Sequence, residues 1–490
     1  MLVTCSEMSE AERQFFADRS PEPWMDEAGR LCAAAILDFF PEPAHAVIGC
    51  GKGNNGGDAL VVARWLKRQG WKTELRFCGS KGELLPLAQR KLAEYESEAA
   101  LSPELTGRPL VLIDGIVGIG ARGALRGPQR ELAAEMNRLR LSGPGTTFAI
   151  DLPSGFDADT GRPGPDAVVA DFTLSISAPK TGFVRDGAER HLGRLVEIPL
   201  SIPLPEGDAT RRILFPSTLR SRLPRRPFDT HKGTAGRVVL VVGSLGFTGA
   251  AVLSALGASG GGAGLVTVCV PEDVYAIVAA KTPAEVMVRP YRDFNEIASL
   301  SADVFGVGPG LGTCPAPGFL DFLTTHPAPV VVDADALNFL AASPARLSAL
   351  PPHRLLTPHP GEMMRLADAS PGFDRASLAL RFSEDRGCSL LLKGSRTLVA
   401  SPGRPLEFNS TGHPGMASGG MGDVLTGLCA ALAAQGLDLH DAACVGSWLL
   451  GRAAELAVRE GGIAPESVTA PLVAQHLGMA WRALETPGSP

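Results

Sequence analysis

A glycine-rich loop near the end of the chain carries the residue types that phosphoryl transfer to an alcohol requires. The segment NSTGHPGMASGGMGDVLTG covers residues 409–427 and precedes a long predicted helix. Gly419, Gly420 and Gly422 would expose backbone N–H groups at this helix start, where they and the helix dipole hold negative charge. Asp423 should stay ionised there and accept the hydroxyl proton, so we interpret it as the catalytic base. The purely structural alternative is a capped glycine turn.

Other polar positions in the second half of the chain could serve the same transfer. Lys393 is the only lysine after residue 281, which suggests a role near phosphates rather than at the surface. His359 lies between two prolines, although a lone histidine is more often structural than functional. The Asp333–Asp335 pair could hold a hydrated magnesium ion or simply end a strand. No G-x-x-x-x-G-K-[ST] segment is present, so the chain is not a P-loop NTPase.

A glycine- and asparagine-rich loop in the first half forms part of a second candidate site. The segment GCGKGNNGGDALVVAR, residues 49–64, follows a predicted strand and opens a helix. Asn54 and Asn55 offer amide groups, and backbone N–H groups at a helix start favour an anion such as a phosphate. The spacing is not that of the G-x-G-x-x-G fingerprint, and a tight turn with Asp58 as N-cap is the structural alternative.

Two more loops bring aspartates to the ends of predicted strands. Residues 114–128, DGIVGIGARGALRGP, and residues 151–161, DLPSGFDADTG, each begin with an aspartate. Because the carboxyl ends of parallel strands meet at one edge of a sheet, Asp114 and Asp151 should face the same crevice. Either aspartate alone could be a cap or turn residue, but three such loops together favour a site.

Strands that alternate with helices must position these loops, and the alternation predicts parallel sheets with helices on both faces. The predicted strands are 45–49, 71–77, 110–113, 147–150 and 171–177, then 238–242, 265–270, 304–307, 330–332, 354–356 and 389–392. The predicted helices are 25–40, 58–69, 84–95 and 129–141, then 424–435 and 442–460. Prolines crowd the region between the two blocks. We therefore predict domains at 1–212 and 226–490, with a Pro/Arg-rich linker at 213–225.

Composition excludes several other classes of protein. The chain has 490 residues, of which 45% are hydrophobic, and a net charge of −6, so it can bury cores and offers no basic face for nucleic acid. Nine cysteines without a C-x-x-C pair argue against disulfides or a zinc ribbon, and no signal peptide is apparent. Residues 238–271 lack charge, but glycines interrupt them, so we predict two strands around a buried helix from Ala250 rather than a membrane span.

The N-G-G-D loop, the D-x-x-x-G-x-G loop and the D-x-P-S-G-x-x-x-x-x-G loop together resemble the NAD(P)H-hydrate epimerase family. The resemblance implies a Rossmann-like three-layer sandwich that interconverts the R and S hydrates of NADH and NADPH with a potassium ion. It implies that Asp151 is catalytic and that Asn55, Asp114 and Ser154 bind potassium, for which hard oxygen ligands are suitable. The residues that it places at the hydrated nucleotide are Asn54, Asn55, Gly56, Gly57, Asp58, Gly118, Ile119, Gly120, Ala121, Arg122, Gly123, Ala124 and Asp151.

The first block also departs from that family. Ala59, Ile119 and Glu12 stand where the family usually has Gly, Thr and Asp, and Ile119 removes a hydroxyl group from the substrate loop. The alternative that these departures leave open is a domain that keeps the fold and binds a ligand or a protein without turnover.

The second block resembles the ribokinase-like superfamily and, within it, the NAD(P)H-hydrate dehydratase family. The segments G-A-A-x-L…G-A-G-L-V, G-P-G-L-G, D-A-D-A-L-N, T-P-H-P-G-E, K-G and G-M-G-D-V-L-T-G match in order. The resemblance implies a three-layer αβα sandwich that uses Mg²⁺ and a nucleotide to phosphorylate the hydrate and then eliminates phosphate. It places Ala250, Gly310, His359 and Asp423 at the hydrate, and Lys393, Gly394, Ser395, Arg396, Thr397 and Gly422 at the phosphoryl donor. Fused chains of this type look ADP-dependent, although the glycine pattern itself does not separate ADP from ATP.

Two alternatives remain open at this stage. The second block could be a small-molecule kinase for a vitamin-precursor alcohol that stops at the phosphate ester, and the first could be a binding or oligomerisation module. With the repair function, the expected partners are NADHX, NADPHX and ADP, without nucleic acid or membrane. We expect a cytoplasmic homo-oligomer.

Overall fold

The computed structural model describes residues 1–99, 108–120, 123–143, 145–313 and 316–486. The chain divides into two compact units, the first covering Met1–Ile213 and the second beginning at Leu214. Each unit is a sheet covered by helices, which confirms the predicted α/β class.

A parallel sheet forms the centre of the first unit. Its described strands follow the order β2-β1-β3-β4-β7-β8, and every neighbouring pair is parallel. The strands are β1 His45–Cys50, β2 Lys72–Phe77, β3 Leu110–Gly115, β4 Gly145–Ile150, β7 Phe172–Ile176 and β8 Arg194–Ile198, with a small hairpin of β5 Phe156–Asp157 and β6 Arg162–Pro163. The helices are α1 Cys5–Phe15, α2 Glu22–Phe39, α3 Asn54–Arg68, α4 Pro86–Ser97, α5 Gly127–Leu141 and α6 Glu189–Leu192. Strand β8 was absent from the prediction.

Helices cover both faces of this sheet, because alternate residues of its central strands enter different cores. Ile48 and Ile113 pack with residues of α2, α3 and α4. Val47 and Leu112 pack on the other side with residues of α5. The result is a three-layer sandwich in which the strand order reverses between β1 and β3. Ligands of open α/β sheets bind at the carboxyl ends of the strands beside such a reversal.

Helix α3 begins four residues earlier than the sequence predicts. Gly53 is its N-cap and Asn54 its first residue, so Asp58 lies within the helix and the N-cap interpretation of Asp58 is wrong. The early start depends on close packing of the first turn. A Cβ on Gly56 would lie 2.0 Å from the carbonyl oxygen of Gly51, and only glycine fits there.

The second unit contains a longer sheet that is only partly parallel. Its described order is β12-β11-β10-β13-β14-β15-β16-β17-β18-β9, and β16, β17 and β18 pair antiparallel. The strands are β9 Arg211–Leu214, β10 Arg237–Val241, β11 Leu265–Pro271, β12 Met287–Tyr291, β13 Val304–Val307, β14 Val330–Val332, β15 Arg354–Leu356, β16 Ser389–Leu392, β17 Leu398–Ala400 and β18 Leu406–Asn409. The all-parallel expectation fails at this end, because the short connections of β16, β17 and β18 form hairpins instead of crossovers.

Helices surround this sheet as the alternating pattern predicts. They are α7 Pro216–Leu219, α8 Thr248–Gly260, α9 Tyr275–Lys281, α10 Phe294–Ala298, α11 Phe319–Thr325, α12 Asp335–Ala341, α13 Pro344–Ser348, α14 Pro360–Ala367, α15 Arg375–Arg386, α16 Met421–Ala434, α17 Leu439–Gly461, α18 Ala470–Gln475 and α19 Leu477–Glu485. The uncharged stretch of residues 238–271 is β10, α8 and β11, with α8 starting two residues before Ala250. Within the described part of the chain, no helix has the length and apolar character needed to cross a membrane.

The residues predicted as a linker, 213–225, largely belong to the second unit. Leu214 and Leu219 are fully buried in its core. Arg222 donates to both carboxylate oxygens of Glu407, at 2.5 and 2.6 Å. His440 and Cys444 from α17 also contact this carboxylate. The apolar contacts and the ion pair explain why a proline-rich segment is fixed here.

Candidate active sites

The first site lies at the carboxyl ends of β1, β3 and β4, where the sequence places its three loops. Asp114 is completely buried in β3 and accepts hydrogen bonds from the backbone N–H of Ser154 at 2.7 Å and from its hydroxyl at 2.6 Å. Burial raises the pKa of Asp114 to about 6, although these hydrogen bonds act in the opposite direction. The loops after β3 and β4 are therefore joined through a buried carboxylate.

The predicted potassium ligands have a donor set that fits a monovalent cation. Among the described lysines and arginines, none pairs with the buried Asp114, so its charge lacks a protein counter-ion. The side-chain amide nitrogen of Asn55 is buried without a hydrogen-bond partner, and the amide lies against Gly118 of the adjoining loop. Ser154 adds a hydroxyl oxygen to the same place. Carboxylate, amide and hydroxyl oxygens suit a hard cation, and its charge would offset that of Asp114.

Asp151 forms the second part of this site through a lysine that the sequence analysis does not single out. Lys180 is 1% exposed, and its Nζ donates to Oδ1 of Asp151 at 2.6 Å. The backbone of Asp151 has a φ of 65°, in the left-handed region that aspartate rarely adopts. Such strain persists where surrounding contacts impose it, and it clusters at functional sites. The signal for Lys180 was its place after β7, another strand that ends at this edge.

Two further carboxyl groups lie near Asp151 and favour their protonated forms. The pKa of Asp58 is raised well above its usual range by burial, and also by Asp151 and Glu12. Burial raises the pKa of Glu12 to about 7; Asp151 adds to this rise and Lys180 opposes it. The structure thus brings Asp58 of the predicted set next to Asp151. It adds Glu12, which the sequence analysis treats only as a departure from the family.

The remaining predicted residues of the first site differ in exposure. Gly56 and Gly57 are buried and packed against Gly51 and Met25, Gly118 is half-buried, and Asn54, Gly120, Gly123 and Ala124 are exposed. Ala121 and Arg122 lie outside the described residues. Ile119 packs against an apolar cluster that includes Val3 and Met8, so its side chain is accommodated by the N-terminal segment.

The second site is organised by a lysine–aspartate pair at the carboxyl edge of the second sheet. Lys393, directly after β16, donates from Nζ to Oδ1 of Asp333 at 2.6 Å. Thr426 of α16 donates to the other carboxylate oxygen at 2.9 Å. A Cβ on Gly422 would lie 3.3 Å from Nζ of Lys393, so the N-terminal turn of α16 adjoins the ammonium group. The structure therefore brings together the lysine and the glycine turn that the sequence assigns to the phosphoryl donor.

Asp423 lies in the first turn of α16, which begins at Met421 after an N-cap at Gly420 with φ of 92°. Burial raises the pKa of Asp423 to about 6; the charges of Asp333 and Asp335 add to the rise, and Lys393 opposes it. An aspartate with this pKa is mostly ionised at neutral pH and can take up a proton. The concentration of carboxylates around one lysine also fits a hydrated divalent cation, which binds oxygen ligands and offsets their repulsion.

His359 caps the helix that follows the T-P-H-P-G-E segment. Its Nδ1 accepts from the backbone N–H of Gly361 at 3.0 Å, and Glu362 accepts from the His359 N–H at 2.8 Å in return. Glu362 also lies 3.9 Å from Nζ of Lys393, so the cap is linked to the lysine. The imidazole is half exposed and available to a ligand.

Two close contacts place the other predicted residues of the second site. A Cβ on Gly310, whose φ is 66°, would lie 2.9 Å from Cβ of Ala250, so the loop after β13 touches the first turn of α8 at this point. Arg375 of α15 donates to the carbonyl oxygen of Arg396 at 3.0 Å and holds the loop after Lys393. In that loop Gly394 and Ser395 are exposed, Thr397 is half-buried and Arg396 is buried.

Sequence reasoning missed the residues that hold these groups in place. Lys180 and Arg375 act on predicted residues from distant positions in the chain. Thr426 lies four residues after Gly422 on the same helix face, and Glu362 ends the T-P-H-P-G-E segment, so both had a signal in the sequence. Arg375 gave none, because its role depends on contacts between elements.

Comparisons with known proteins match each unit to a family model and almost the whole chain to curated relatives. Residues 238–477 match the family described as NAD(P)H-hydrate dehydratase, and residues 22–182 match that described as YjeF-related protein N-terminus. A bifunctional NAD(P)H-hydrate repair enzyme from Moorella thermoacetica is 36% identical, over 94% of this chain and 93% of its own length. The chain belongs to this family. The relative from Coxiella burnetii is 34% identical, over 89% of this chain and 91% of its own length.

Solved structures resemble the second unit of this family member. An ADP/ATP-dependent NAD(P)H-hydrate dehydratase from Bacillus subtilis, crystallised with ATP and Mg²⁺, has 28% identity and a TM-score of 0.50, covering 56% of this chain and 99% of its own. A ribokinase-like superfamily protein from Enterococcus faecalis has 26% identity and a TM-score of 0.51, covering 57% of this chain and 98% of its own. The predicted ribokinase-like fold is confirmed.

Proposed function

We propose that the first unit interconverts the R and S hydrates of NADH and NADPH, and that the second dehydrates the S form with ADP. The observation that carries this proposal is the second site. A carboxylate with a pKa near neutrality lies at a helix N-terminus beside a lysine, which is an arrangement for moving a phosphoryl group onto a hydroxyl. Homologues named as bifunctional repair enzymes along almost the whole chain support the pairing with an epimerase.

In the first unit the hydrated nucleotide would occupy the crevice between the loops after β1 and β3. The first turn of α3 offers amide groups from Asn54 to Asp58, and the loop from Gly118 to Ala124 forms the facing wall. Asp151 would exchange a proton with the hydrated ring, because it lies at the same edge and is ion-paired with Lys180. Potassium would be held by Asn55, Asp114 and Ser154, and it would supply positive charge near the ligand.

In the second unit Asp423 would take the proton of the hydrate hydroxyl while that oxygen attacks the terminal phosphorus of ADP. The P–O bond to AMP then breaks, and AMP leaves. Lys393 and the N–H groups of the α16 turn would stabilise the charge on the transferring group. A hydrated Mg²⁺ held by the Asp333–Asp335 pair would offset the phosphate charges. Loss of phosphate from the ring and of a proton from the adjacent carbon restores the double bond of NADH.

Ala250, Gly310 and His359 would line the hydrate pocket of the second unit. Ala250 and Gly310 approach so closely that a larger side chain at Gly310 would displace the loop after β10. Gly394, Ser395, Arg396 and Thr397 would face the nucleotide from the loop that Arg375 fixes. The Bacillus subtilis protein was crystallised with ATP and Mg²⁺, which supports a nucleotide here, and we propose ADP for this chain.

Recovery of absorbance at 340 nm from a mixture of R- and S-NADHX tests both activities. With Mg²⁺, K⁺ and ADP, the unaltered protein should restore all of the NADH, and Asp151→Ala should restore only the S fraction. Replacement of K⁺ by Li⁺ should slow the recovery of NADH from the R fraction and leave recovery from the S fraction unchanged. Recovery of only the S fraction by the unaltered protein would make the first unit a binding module. A stable phosphorylated product would instead identify the second unit as a small-molecule kinase.

For location and assembly we propose a cytoplasmic homo-oligomer. Nicotinamide coenzymes and ADP are available in the cytoplasm, and the described cysteines are free thiols, as expected in a reducing compartment. Size-exclusion chromatography with light scattering would measure the oligomeric state.

A further inference from the structure

The N-terminal helix α1 contributes an acidic side chain to the crevice that contains Asp151. We infer that Glu12 is the proton donor of the epimerase site and that Lys180 is the residue that positions Asp151 as its base. This inference rests on the proposed epimerase function and extends it to a two-residue acid–base system. The match to the model of the YjeF-related N-terminus begins at residue 22, after the end of α1.

The chain segment before α1 is fixed beside Lys180. The N–H of Val3 donates to the carbonyl oxygen of Pro179 at 3.0 Å, and the N–H of Thr181 donates to that of Val3 at 3.0 Å. The N–H of Cys5 donates to Oδ1 of Asp159 at 2.7 Å. Through these backbone hydrogen bonds, Val3 pairs with the loop after β7. Helix α1 therefore begins at the carboxyl edge of the sheet.

The face of α1 that carries Glu12 is directed into the unit. Met8, one helical turn before Glu12, is 1% exposed, and residues four apart share a helix face. Glu10 lies on another face, where it is exposed and paired with Arg13. No hydrogen bond joins the Glu12 carboxyl to another of the described residues, and the charges that reach it are those of Asp151 and Lys180. The carboxyl is thus near the base and has no basic partner of its own.

The two carboxyl groups near the crevice have different surroundings, which is how one site obtains an acid and a base. Asp151 is paired at 2.6 Å with the buried Lys180. Glu12 is withdrawn from water next to Asp151, and this raises its pKa to about 7. Asp58 and Asp159 are further acidic groups beside these residues, and the thiol of Cys5 lies next to Asp159. Burial raises the pKa of Asp58 and of the Cys5 thiol, so these two groups favour their neutral forms.

This pair can invert the hydrated carbon without an oxidant or a reductant. The carbon bears a hydroxyl group and the ring nitrogen, so it is a hemiaminal. Asp151 takes the hydroxyl proton, a C=O bond forms, and the C–N bond breaks as its electron pair goes to nitrogen, which takes the proton of Glu12. The nitrogen then adds to the other face of the aldehyde, returns its proton to Glu12, and the oxygen takes its proton back from Asp151. Both residues finish in their starting states.

The mechanism has a defined pH dependence. Glu12 must be protonated, and with a pKa of about 7 its protonated fraction falls as the pH rises through neutrality. Epimerisation should therefore slow above about pH 7. Lys180 acts by fixing the Asp151 carboxylate in place, so its loss should lower kcat and leave KM nearly unchanged.

The test follows conversion of purified R-NADHX to the S form by chromatography, with the full chain, K⁺ and no ADP. Glu12→Gln should lower kcat about 100-fold or more and abolish the decrease in rate above pH 7. Glu12→Asp should retain both the rate and its decrease above pH 7. Lys180→Gln should lower kcat with little change in KM, and Lys180→Arg, which keeps the charge, should restore most of kcat. Glu10→Gln, on the exposed face of α1, and Lys91→Gln, another buried ion-paired lysine, should leave kcat and the pH profile unchanged.

Thermal unfolding of every variant, followed by circular dichroism, checks that the first unit is folded, because the dehydratase site lies in the other unit. A Glu12→Gln protein with the rate and pH profile of the unaltered protein would overturn the role of Glu12. An unchanged kcat in Lys180→Gln would overturn the role of Lys180. If Lys180→Gln does not fold, Lys180→Arg and the Glu12 variants remain informative. If the unaltered protein does not convert the R form, the proposed function fails as well. Suppose that the unaltered protein converts the R form and Asp151→Ala does not. If Glu12→Gln then has the rate and pH profile of the unaltered protein, only the role of Glu12 fails, and the proposed epimerase function stands.

Discussion

Each of the two sites contains a lysine–aspartate ion pair, and the two lysines differ in their exposure to solvent. In each, a lysine Nζ lies 2.6 Å from an aspartate Oδ1 at the carboxyl edge of a sheet. The side chain of Lys180 is 1% exposed, whereas that of Lys393 is 20% exposed. A lysine that water does not reach can act on a ligand only through its aspartate. A partly exposed lysine can also bind a phosphate directly.

Each pair also lies beside a third group, a carboxyl whose pKa is raised by burial. It is Glu12 in the first site, at about 7, and Asp423 in the second, at about 6. The roles are exchanged between the sites. In the first, the aspartate paired with lysine is the proposed base. In the second, the paired aspartate contacts the lysine, and the proposed base is Asp423. If these proposals hold, the use of a carboxyl depends on its surroundings more than on its residue type.

Backbone strain accompanies both pairs. Asp151 itself has a φ of 65°, and Ala334, directly after Asp333, has a φ of 50°. Non-glycine residues adopt this region only at a cost of about 1–3 kcal/mol, which the surrounding packing must offset. The strain lies at the lysine-paired aspartate in the first site and at the next residue in the second, so in both sites it lies in the turn after the strand.

The largest difference between the two activities is expected from Asp423→Asn. The amide cannot accept the hydroxyl proton, so the dehydratase kcat should fall by about 10²- to 10⁴-fold. The R-to-S conversion should be unchanged, because its acid and base lie in the first unit. Measurement of both rates on one preparation tests this. A variant that retains more than a tenth of the dehydratase rate would show that Asp423 is not the base.

A smaller effect is expected from Lys393→Gln, which removes a charged contact to the phosphoryl donor. Hydrogen bonds to charged groups contribute about 1.5–3 kcal/mol, so the KM for ADP should rise about ten- to hundredfold. The exposed Lys232 of the same unit provides the control, and Lys232→Gln should leave this KM unchanged. An unchanged KM in Lys393→Gln would place the donor elsewhere.

The smallest effect is a difference in pH dependence between the two activities. Asp423 must be ionised to act as a base, so dehydration should slow as the pH falls through about 6. The donor Glu12 must be protonated, so epimerisation should slow as the pH rises through about 7. Rates of both reactions between pH 5 and 8 would show limbs of opposite sign. If both rates changed with pH in the same direction, the proposed roles of Asp423 as a base and Glu12 as an acid would be contradicted.

Most elements of the fold could be predicted from local pattern. The predicted strands 304–307, 330–332, 354–356 and 389–392 coincide with β13 to β16, because buried parallel strands are continuous apolar runs between glycine- and proline-containing loops. Strands β8, β9, β12, β17 and β18 and the β5–β6 hairpin were missed. Except for β17, which has only three residues, they contain polar, charged or proline residues. The starts of α3 and α16 were predicted late, because glycine opens both helices through close packing that the sequence does not display.

The sequence by itself determined the two α/β units, the edge of each sheet that carries the loops, and the aspartates and glycines at strand ends. These follow from hydrophobic periodicity and from the geometry of parallel strands. Only the tertiary structure decided which charges meet. Lys180 and Asp151 are 29 positions apart, and Thr426 and Asp333 are 93 apart. The proton affinities of Glu12 and Asp423 depend on burial and on neighbouring charges, which arise only when distant segments pack together.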